Sequence, residues 1–216
     1  MNDRFYMACY RDNVGSNVGF HAIDGKGYTT DVRKAHVYTL EEAQRAWEHG
    51  RDIDQPLSAD HIDKNIVWKV DHQYVPCETT INSSTLTKYV AYKMNRWDGN
   101  DLYFITNDEL LVHSTNFSLS KIMCNPEKDS TYISISYELA KEVARPTFLM
   151  ANVNNRTMVT GAGLRQPDHV KRSKRRKPDN GLTRMNCPSC GRLAWQYNPY
   201  DFDKCKNYNC EDFKYD

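Results

Sequence analysis

Four of the seven cysteines fall in the last thirty residues, and their spacing is typical of metal ligands. They form two pairs, Cys187-Pro-Ser-Cys190 and Cys205-Lys-Asn-Tyr-Asn-Cys210. A Cys-x2-Cys turn points two thiolates at one metal ion, and the Gly191 that follows supplies the backbone freedom that the turn needs. A second pair farther along completes a tetrahedral set, so the spacing predicts one Zn²⁺ ion. Two disulfides are the alternative, which a reducing compartment disfavours.

Residues 187–216 resemble the zinc-ribbon family. The Cys-Pro-x-Cys-Gly sequence of the first pair is usual there, whereas the Cys-x4-Cys spacing of the second departs from the commoner Cys-x2-Cys. The resemblance implies a hairpin that displays aromatic side chains between the two pairs, where Trp195 and Tyr197 stand. Four thiolates leave no open coordination position, so we expect the Zn²⁺ to be structural rather than catalytic.

A run of positive charge precedes the cysteines. The chain as a whole has a formal net charge of only +1, but residues 163–186 carry eight basic and two acidic side chains. Mutual repulsion in such a run predicts a solvated, flexible arm between two folded parts. Beside exposed aromatic side chains, the arm indicates binding to the phosphate backbone of DNA or RNA. The candidate contacts are Lys171, Arg172, Lys174, Arg175, Arg176, Lys177, Trp195 and Tyr197.

The composition excludes several classes of protein. Hydrophobic residues make up 39% and charged residues 26% of the 216 residues, as in ordinary globular chains. The apolar runs are far shorter than the roughly 20 residues needed to span a bilayer, so no membrane association is expected. The first ten residues contain no apolar segment of the secretory kind, which favours a cytoplasmic protein.

The rest of the chain reads as an α+β domain dominated by sheet, with two or three short helices, over residues 1–160. The capping box Thr39-Leu-Glu-Glu42 starts a helix that Gly50 ends. Further helices are predicted at Tyr137–Ala144 and Phe117–Met123. Strands are predicted from β-branched and aromatic content at Arg4–Tyr10, Val18–Ile23, His36–Tyr38, Ile66–Val70, Tyr89–Met94, Leu102–Ile105, Leu110–His113, Tyr132–Ser136 and Thr147–Val153.

A weak internal repetition divides this domain into two related halves, about 1–75 and 85–155. In each half a hairpin strand is followed by a strand that leads into a helix, at Val37–Ala43 and at Ile135–Ala140. The stretch Gly27–Thr39 with its following helix also resembles a small module of bacteriophage accessory proteins. That resemblance implies a phage or mobile-element origin and no particular chemistry.

Residues 110–153 resemble the nicotinamide-binding half of the ADP-ribosyltransferase superfamily. The resemblance is in the predicted order of strand, short helix, strand, helix and strand, with a His-x-Thr at the end of the first strand. It implies an NAD pocket, in which two groups of residues take part. His113 and Thr115 would contact the nicotinamide ribose or amide, and Ser134, Ser136 or Tyr137 would line the ring pocket.

The same region departs from that family at the residue that activates the acceptor. Such transferases usually place a Glu on a later strand, but Asp168 is the only acidic residue between Val153 and the basic arm. The leading hypothesis is therefore a non-enzymatic, phage-encoded accessory or regulatory protein that associates with nucleic acid. One alternative is a factor that binds or inhibits a host protein complex, and another is an ADP-ribosyltransferase-like protein that binds NAD.

Overall fold

The predicted α+β class, dominated by sheet, is confirmed by a computed structural model that describes residues 3–81, 87–175, 181–198 and 200–214. The chain divides into two units, Met1–Val170 and Lys171–Asp216. We refer to the first as the body and to the second as the C-terminal unit. The division falls inside the segment 163–186 that the sequence predicts as an arm.

The first half of the body, residues 5–74, is organised around its long first strand. That strand pairs antiparallel with β2, β4 and β5, and its apolar residues Tyr6 and Ala8 enter the core. The Thr39 capping box starts α1 as predicted, and the helix buries Trp47 in the same core. The elements are β1 (Phe5–Val14), β2 (Asn17–His21), β3 (Tyr28–Thr29), β4 (Val37–Tyr38), α1 (Leu40–His49), β5 (Asp54–Ser58), α2 (Ala59–Lys64) and β6 (Val67–Lys69).

The second half, residues 89–152, forms a four-stranded sheet in the order β10-β7-β8-β9. One face of this sheet and the helix α3 enclose a separate core that includes Phe104, Ile135 and Ala140. The elements are β7 (Tyr89–Asp98), β8 (Asp101–Ile105), β9 (His113–Ser114), β10 (Tyr132–Ser136), α3 (Tyr137–Val143) and β11 (Arg145–Thr147).

The two halves have the same pairing registers. In the first half, β1 pairs with β5 from Phe5 opposite Ser58 to Cys9 opposite Asp54. In the second half, β7 pairs with β10 from Tyr89 opposite Ser136 to Lys93 opposite Tyr132. In each half, the hairpin of the first two strands, β1 with β2 and β7 with β8, has a register shift partway along its length. The last residue pair before the turn is Val14 with Asn17 in the first half and Asp98 with Asp101 in the second. Corresponding positions of the two halves can therefore be compared residue by residue.

Reciprocal contacts join the halves around an approximate two-fold axis. Strands β6 and β11, which occupy equivalent places, pair antiparallel with each other. The amide of Val18 donates to the carbonyl of Phe148 at 2.9 Å, and in the symmetric bond the amide of Leu102 donates to Val70 at 3.0 Å. The two hairpin turns meet at Gly15 and Gly99, which both have positive φ.

A buried group of charges lies at this joint. The side chain of Lys69 is completely buried, and its Nζ lies 3.3 Å from carboxylate oxygens of both Asp98 and Asp101. Arg145 Nη2 lies 2.7 Å from a carboxylate oxygen of Asp101 and 3.8 Å from one of Asp71. Such a group is stable only when each charge has a partner, so it fixes how the halves fit together.

Several predicted elements differ from the observed ones. The predicted equivalence of the helix after Val37 with the helix α3 is wrong, because the helix of the first half that corresponds to α3 is α2, which β5 precedes. The sequence does not predict β5, because its residues, Asp-Gln-Pro-Leu-Ser, are polar and include proline. The strands predicted at Leu110–His113 and Thr147–Val153 are shorter, with strand only at His113–Ser114 and Arg145–Thr147. The helix predicted at Phe117–Met123 is a single 3₁₀ turn, Phe117–Leu119.

The segment predicted as a flexible arm starts with a helix, α4 (Asp168–Arg175). Val170 in its first turn is buried in the core of the body. Asp168 lies near the positive end of the helix dipole and the cationic residues follow toward the negative end, which offsets part of their repulsion. The C-terminal unit then forms a hairpin from β12 (Thr183–Asn186) and β13 (Leu193–Gln196).

We expect Gly99→Ala to destabilise the body more than Gly25→Ala. Both glycines have φ above 60°, so both substitutions carry the strain of a left-handed side chain, about 1–2 kcal/mol. A Cβ at Gly99 would also lie 2.6 Å from the Gly15 amide, whereas one at Gly25 meets nothing within 4 Å. Equal losses of unfolding free energy in urea would contradict the close contact of the two turns.

Lys69→Met is expected to lower the free energy of unfolding by roughly 3–5 kcal/mol, because it leaves buried carboxylates without their cation. Lys26→Met serves as the control, since Lys26 pairs with Asp24 on the exposed surface. That control is expected to change stability by no more than about 0.5 kcal/mol. Urea unfolding of both variants measures the difference, and equal midpoints would show that the buried charges do not join the halves.

Candidate metal centre

The hairpin of the C-terminal unit positions the first cysteine pair. Strands β12 and β13 pair from Thr183 opposite Gln196 to Asn186 opposite Leu193, so Cys187 follows directly where the pairing ends. The amide of Cys187 donates to the Arg192 carbonyl at 2.8 Å, and the amide of Gly191 donates to the Cys187 carbonyl at 2.9 Å. Gly191 has φ of 69°, a conformation that favours glycine and closes this turn.

The second cysteine pair forms its own turn. The amide of Asn207 donates to Cys205 Sγ at 3.4 Å, and the amide of Cys210 donates to the Asn207 carbonyl at 2.9 Å. The amide of Cys205 donates to the Asp212 carbonyl at 2.9 Å, which ties the start of this turn to the residues that follow it. A Cys-x4-Cys spacing therefore brings both thiols to the same side of the turn.

All four sulfur atoms lie within 4.8 Å of one another. Cys187 Sγ and Cys210 Sγ are 3.5 Å apart, and Cys190 Sγ and Cys205 Sγ are 3.6 Å apart. Zn–S bonds of about 2.3 Å in a tetrahedral site require sulfur separations of about 3.8 Å. The four cysteines can therefore hold a metal ion, and among the described residues they are the only cluster found with this property.

The electrostatics of the four thiols also fit a cation. Burial raises the pKa of Cys187 to about 12, whereas a hydrogen bond from the Arg192 backbone lowers the pKa of Cys190 to about 6. Thiolates this close repel one another, and a divalent ion at their centre removes the repulsion. Asp212 lies beside the site, where its carboxylate accepts a hydrogen bond from Ser189 Oγ at 2.7 Å and one from the Cys187 thiol at 3.3 Å. The second of these bonds requires the thiol proton, which Cys187 loses when it binds a metal ion.

The two faces of β13 differ in exposure. Ala194 and Gln196 are buried, and the Gln196 side chain accepts from the Asp203 amide and donates to the Asp201 carbonyl, both at 2.8 Å. On the alternate positions, Trp195 is 52% exposed and Tyr197 is 77% exposed. The hairpin thus presents large aromatic surface to solvent.

The predicted phosphate-binding cations lie only partly within the described residues. Lys171 and Arg172 have exposed side chains on α4, and Lys174 and Arg175 belong to the same helix. Arg176 and Lys177 lie outside the described residues.

The residues predicted to bind NAD make separate contacts. His113 Nε2 shares a hydrogen bond of 2.8 Å with the Tyr132 hydroxyl, whereas the Tyr137 ring stacks on Phe117. Ser134 is fully buried, and its Oγ accepts a hydrogen bond from the Glu127 amide at 2.8 Å. Thr115 is half-buried just after β9, and Ser136 precedes α3 as its N-cap residue.

Comparison with known proteins adds no family assignment. No protein-family model matches the chain, and comparisons with curated sequences and with solved structures give no match. No helix among the described residues is long and apolar enough to cross a membrane.

We expect the purified protein to contain one zinc ion per chain and Cys190→Ser to lose it. Cys77→Ser is the matched control, since Cys77 is an exposed free thiol of the body. Elemental analysis of both variants after gel filtration measures the metal content. A Cys190→Ser protein that keeps stoichiometric zinc would contradict the four-thiolate site.

Chelation is expected to unfold the C-terminal unit and to leave the body folded. Among the described residues of the C-terminal unit, the apolar cluster consists of Cys187, Cys205, Cys210 and Phe202, so we expect metal binding to supply the folding energy of the unit. Amide NMR signals of residues 181–214 should collapse to random-coil positions with EDTA and return with Zn²⁺. Unchanged signals would show that the unit folds without metal.

Proposed function

We propose that this protein is a nucleic-acid-associated accessory protein whose C-terminal unit is held together by structural Zn²⁺. The observation that carries the proposal is the cluster of four cysteine sulfurs within 4.8 Å, in a unit that also contains the cationic segment from Lys171 to Lys177. Zinc is the metal that best fits four thiolates at tetrahedral separations. With all four positions filled, the ion has no role in catalysis.

The cationic segment supplies affinity in this proposal. Each lysine or arginine that contacts a phosphate releases a condensed counterion, so binding weakens steeply with salt. The exposed rings of Trp195 and Tyr197 suit stacking on unpaired bases, which is tolerant of sequence. Acidic residues near the hairpin, such as Asp201 and Asp203, make it a poor phosphate binder by itself. In this proposal the cations therefore bind the phosphates, and the aromatic rings bind the bases.

The test replaces the six cations of the segment by glutamine in the full-length, zinc-loaded protein. Contacts to about six phosphates give a slope of log affinity against log salt of about −4 for a single strand. The variant should bind a labelled single-stranded oligonucleotide much more weakly and with a shallower slope, as measured by fluorescence anisotropy across a salt series. The variant keeps the length and the zinc site, so its zinc content serves as the folding control.

Two outcomes would contradict the proposal. The first is an absence of nucleic-acid binding by the wild-type protein at low salt. The second is unchanged affinity and salt slope in the glutamine variant, which would reduce the segment to a connection between the two units.

A further inference from the structure

A group of cationic and aromatic side chains, one exposed and four half-buried, lies on the outer face of the sheet in the second half of the body. The inner face of this sheet, with Tyr92, Leu102 and Phe104, belongs to the core. Residues of alternate positions on the neighbouring strands point to the other face. We define the platform as Lys93, Arg96, Tyr103, His113 and Tyr132.

Ring contacts hold the two cations of the platform in place. Lys93 Nζ lies 4.6 Å from the centre of the Tyr132 ring, and the Arg96 guanidinium lies 4.6 Å from the centre of the Tyr103 ring. His113 stacks on the Tyr132 ring with 5.7 Å between centres. Burial, with the nearby charges of Arg96 and Lys93, lowers the pKa of His113, so this ring is neutral at neutral pH and adds aromatic rather than charged surface.

Neither cation is neutralised by a carboxylate of the described residues within ion-pair distance. Five of the eight other arginines of the body are paired with aspartates in this way, at 2.7–3.3 Å. These are Arg4, Arg11, Arg33, Arg51 and Arg145. The platform therefore places two cations without a carboxylate partner beside aromatic rings.

The first half shows that the fold itself does not require this chemistry. Its equivalent positions are occupied by Cys9, Asp12, Gly19, Tyr28 and Asp54, as the shared registers show. There, Asp54 pairs with Arg51 at 2.8 Å and Asp12 accepts a hydrogen bond from Cys9 Sγ at 2.9 Å. The equivalent face of the first half also has a cation over a ring, since the Arg51 guanidinium lies 5.7 Å from the centre of the Tyr28 ring, but this cation is paired with Asp54. The halves therefore differ in whether the cations on this face are compensated by carboxylates.

We propose that the platform is a second nucleic-acid contact of this protein, which binds a single strand by its phosphates and bases. Lys93 and Arg96 contact phosphate oxygens, and bases pack against the platform side chains, including the planar guanidinium of Arg96. The cations are pre-positioned by the rings, so little side-chain freedom is lost on binding. The inference goes beyond the proposed function, because it places a contact in the body and does not require the cationic segment.

The experiment measures binding of labelled oligothymidylate and oligouridylate to full-length, zinc-loaded variants by fluorescence anisotropy. Lys93→Gln with Arg96→Gln removes two phosphate contacts and should reduce the salt slope by about 1.4. Lys121→Gln with Lys141→Gln is the matched control, since it removes two exposed charges of the same half outside the platform. Tyr103→Ala should weaken binding roughly tenfold, and Tyr103→Phe should restore it because the ring is kept.

Each variant is also made in the background in which the six cations of Lys171 to Lys177 are glutamine. If the platform variants bind more weakly than the control variants in this background, the inference is supported. This holds even where replacing the six cations does not itself change the affinity. Binding that depends on the segment but is equal for the platform and control variants overturns the inference and leaves the proposed function standing. Thermal unfolding of the Ala and Phe variants confirms that a loss of binding is not a loss of fold.

Discussion

The pairing of β6 with β11 is the contact on which the body depends. Each of these short strands belongs to a different half, and they pair so that Lys69 lies opposite Arg145. These two cations share the carboxylate of Asp101, which is completely buried. Because an unpaired buried charge is so unfavourable, this arrangement allows one fit between the halves and discourages others.

The body illustrates how one scaffold can carry two surface chemistries. The halves share registers, hairpin irregularities and reciprocal hydrogen bonds, but α1 occurs only in the first half. On the outer faces, Asp12 and Asp54 of the first half stand where the second half has Arg96 and Tyr132. On that face Cys9 and Asp54 of the first half are buried, whereas the platform side chains of the second half are half-buried or exposed.

The sequence predicts local features well and non-local ones poorly. The clustering of the four cysteines is predicted because their spacing within two short turns carries the information. The capping box of α1 was equally clear. Strand β5 was missed since Pro56 and its polar neighbours do not resemble a strand, although an edge position tolerates proline. The platform could not be predicted, because its residues come from four strands that meet only through tertiary pairing.

The central claim is the proposal that nucleic acid binds the cationic and aromatic surfaces of this chain, with Zn²⁺ stabilising the C-terminal unit and the paired halves stabilising the body. The most direct measurement is ultraviolet cross-linking of the full-length, zinc-loaded protein to a single-stranded oligonucleotide, followed by mass-spectrometric mapping. The account predicts cross-linked peptides that contain Trp195 or Tyr197 and peptides that contain Tyr103 or Tyr132. Cross-links confined to the acidic outer face of the first half, or none at all at low salt, would contradict it.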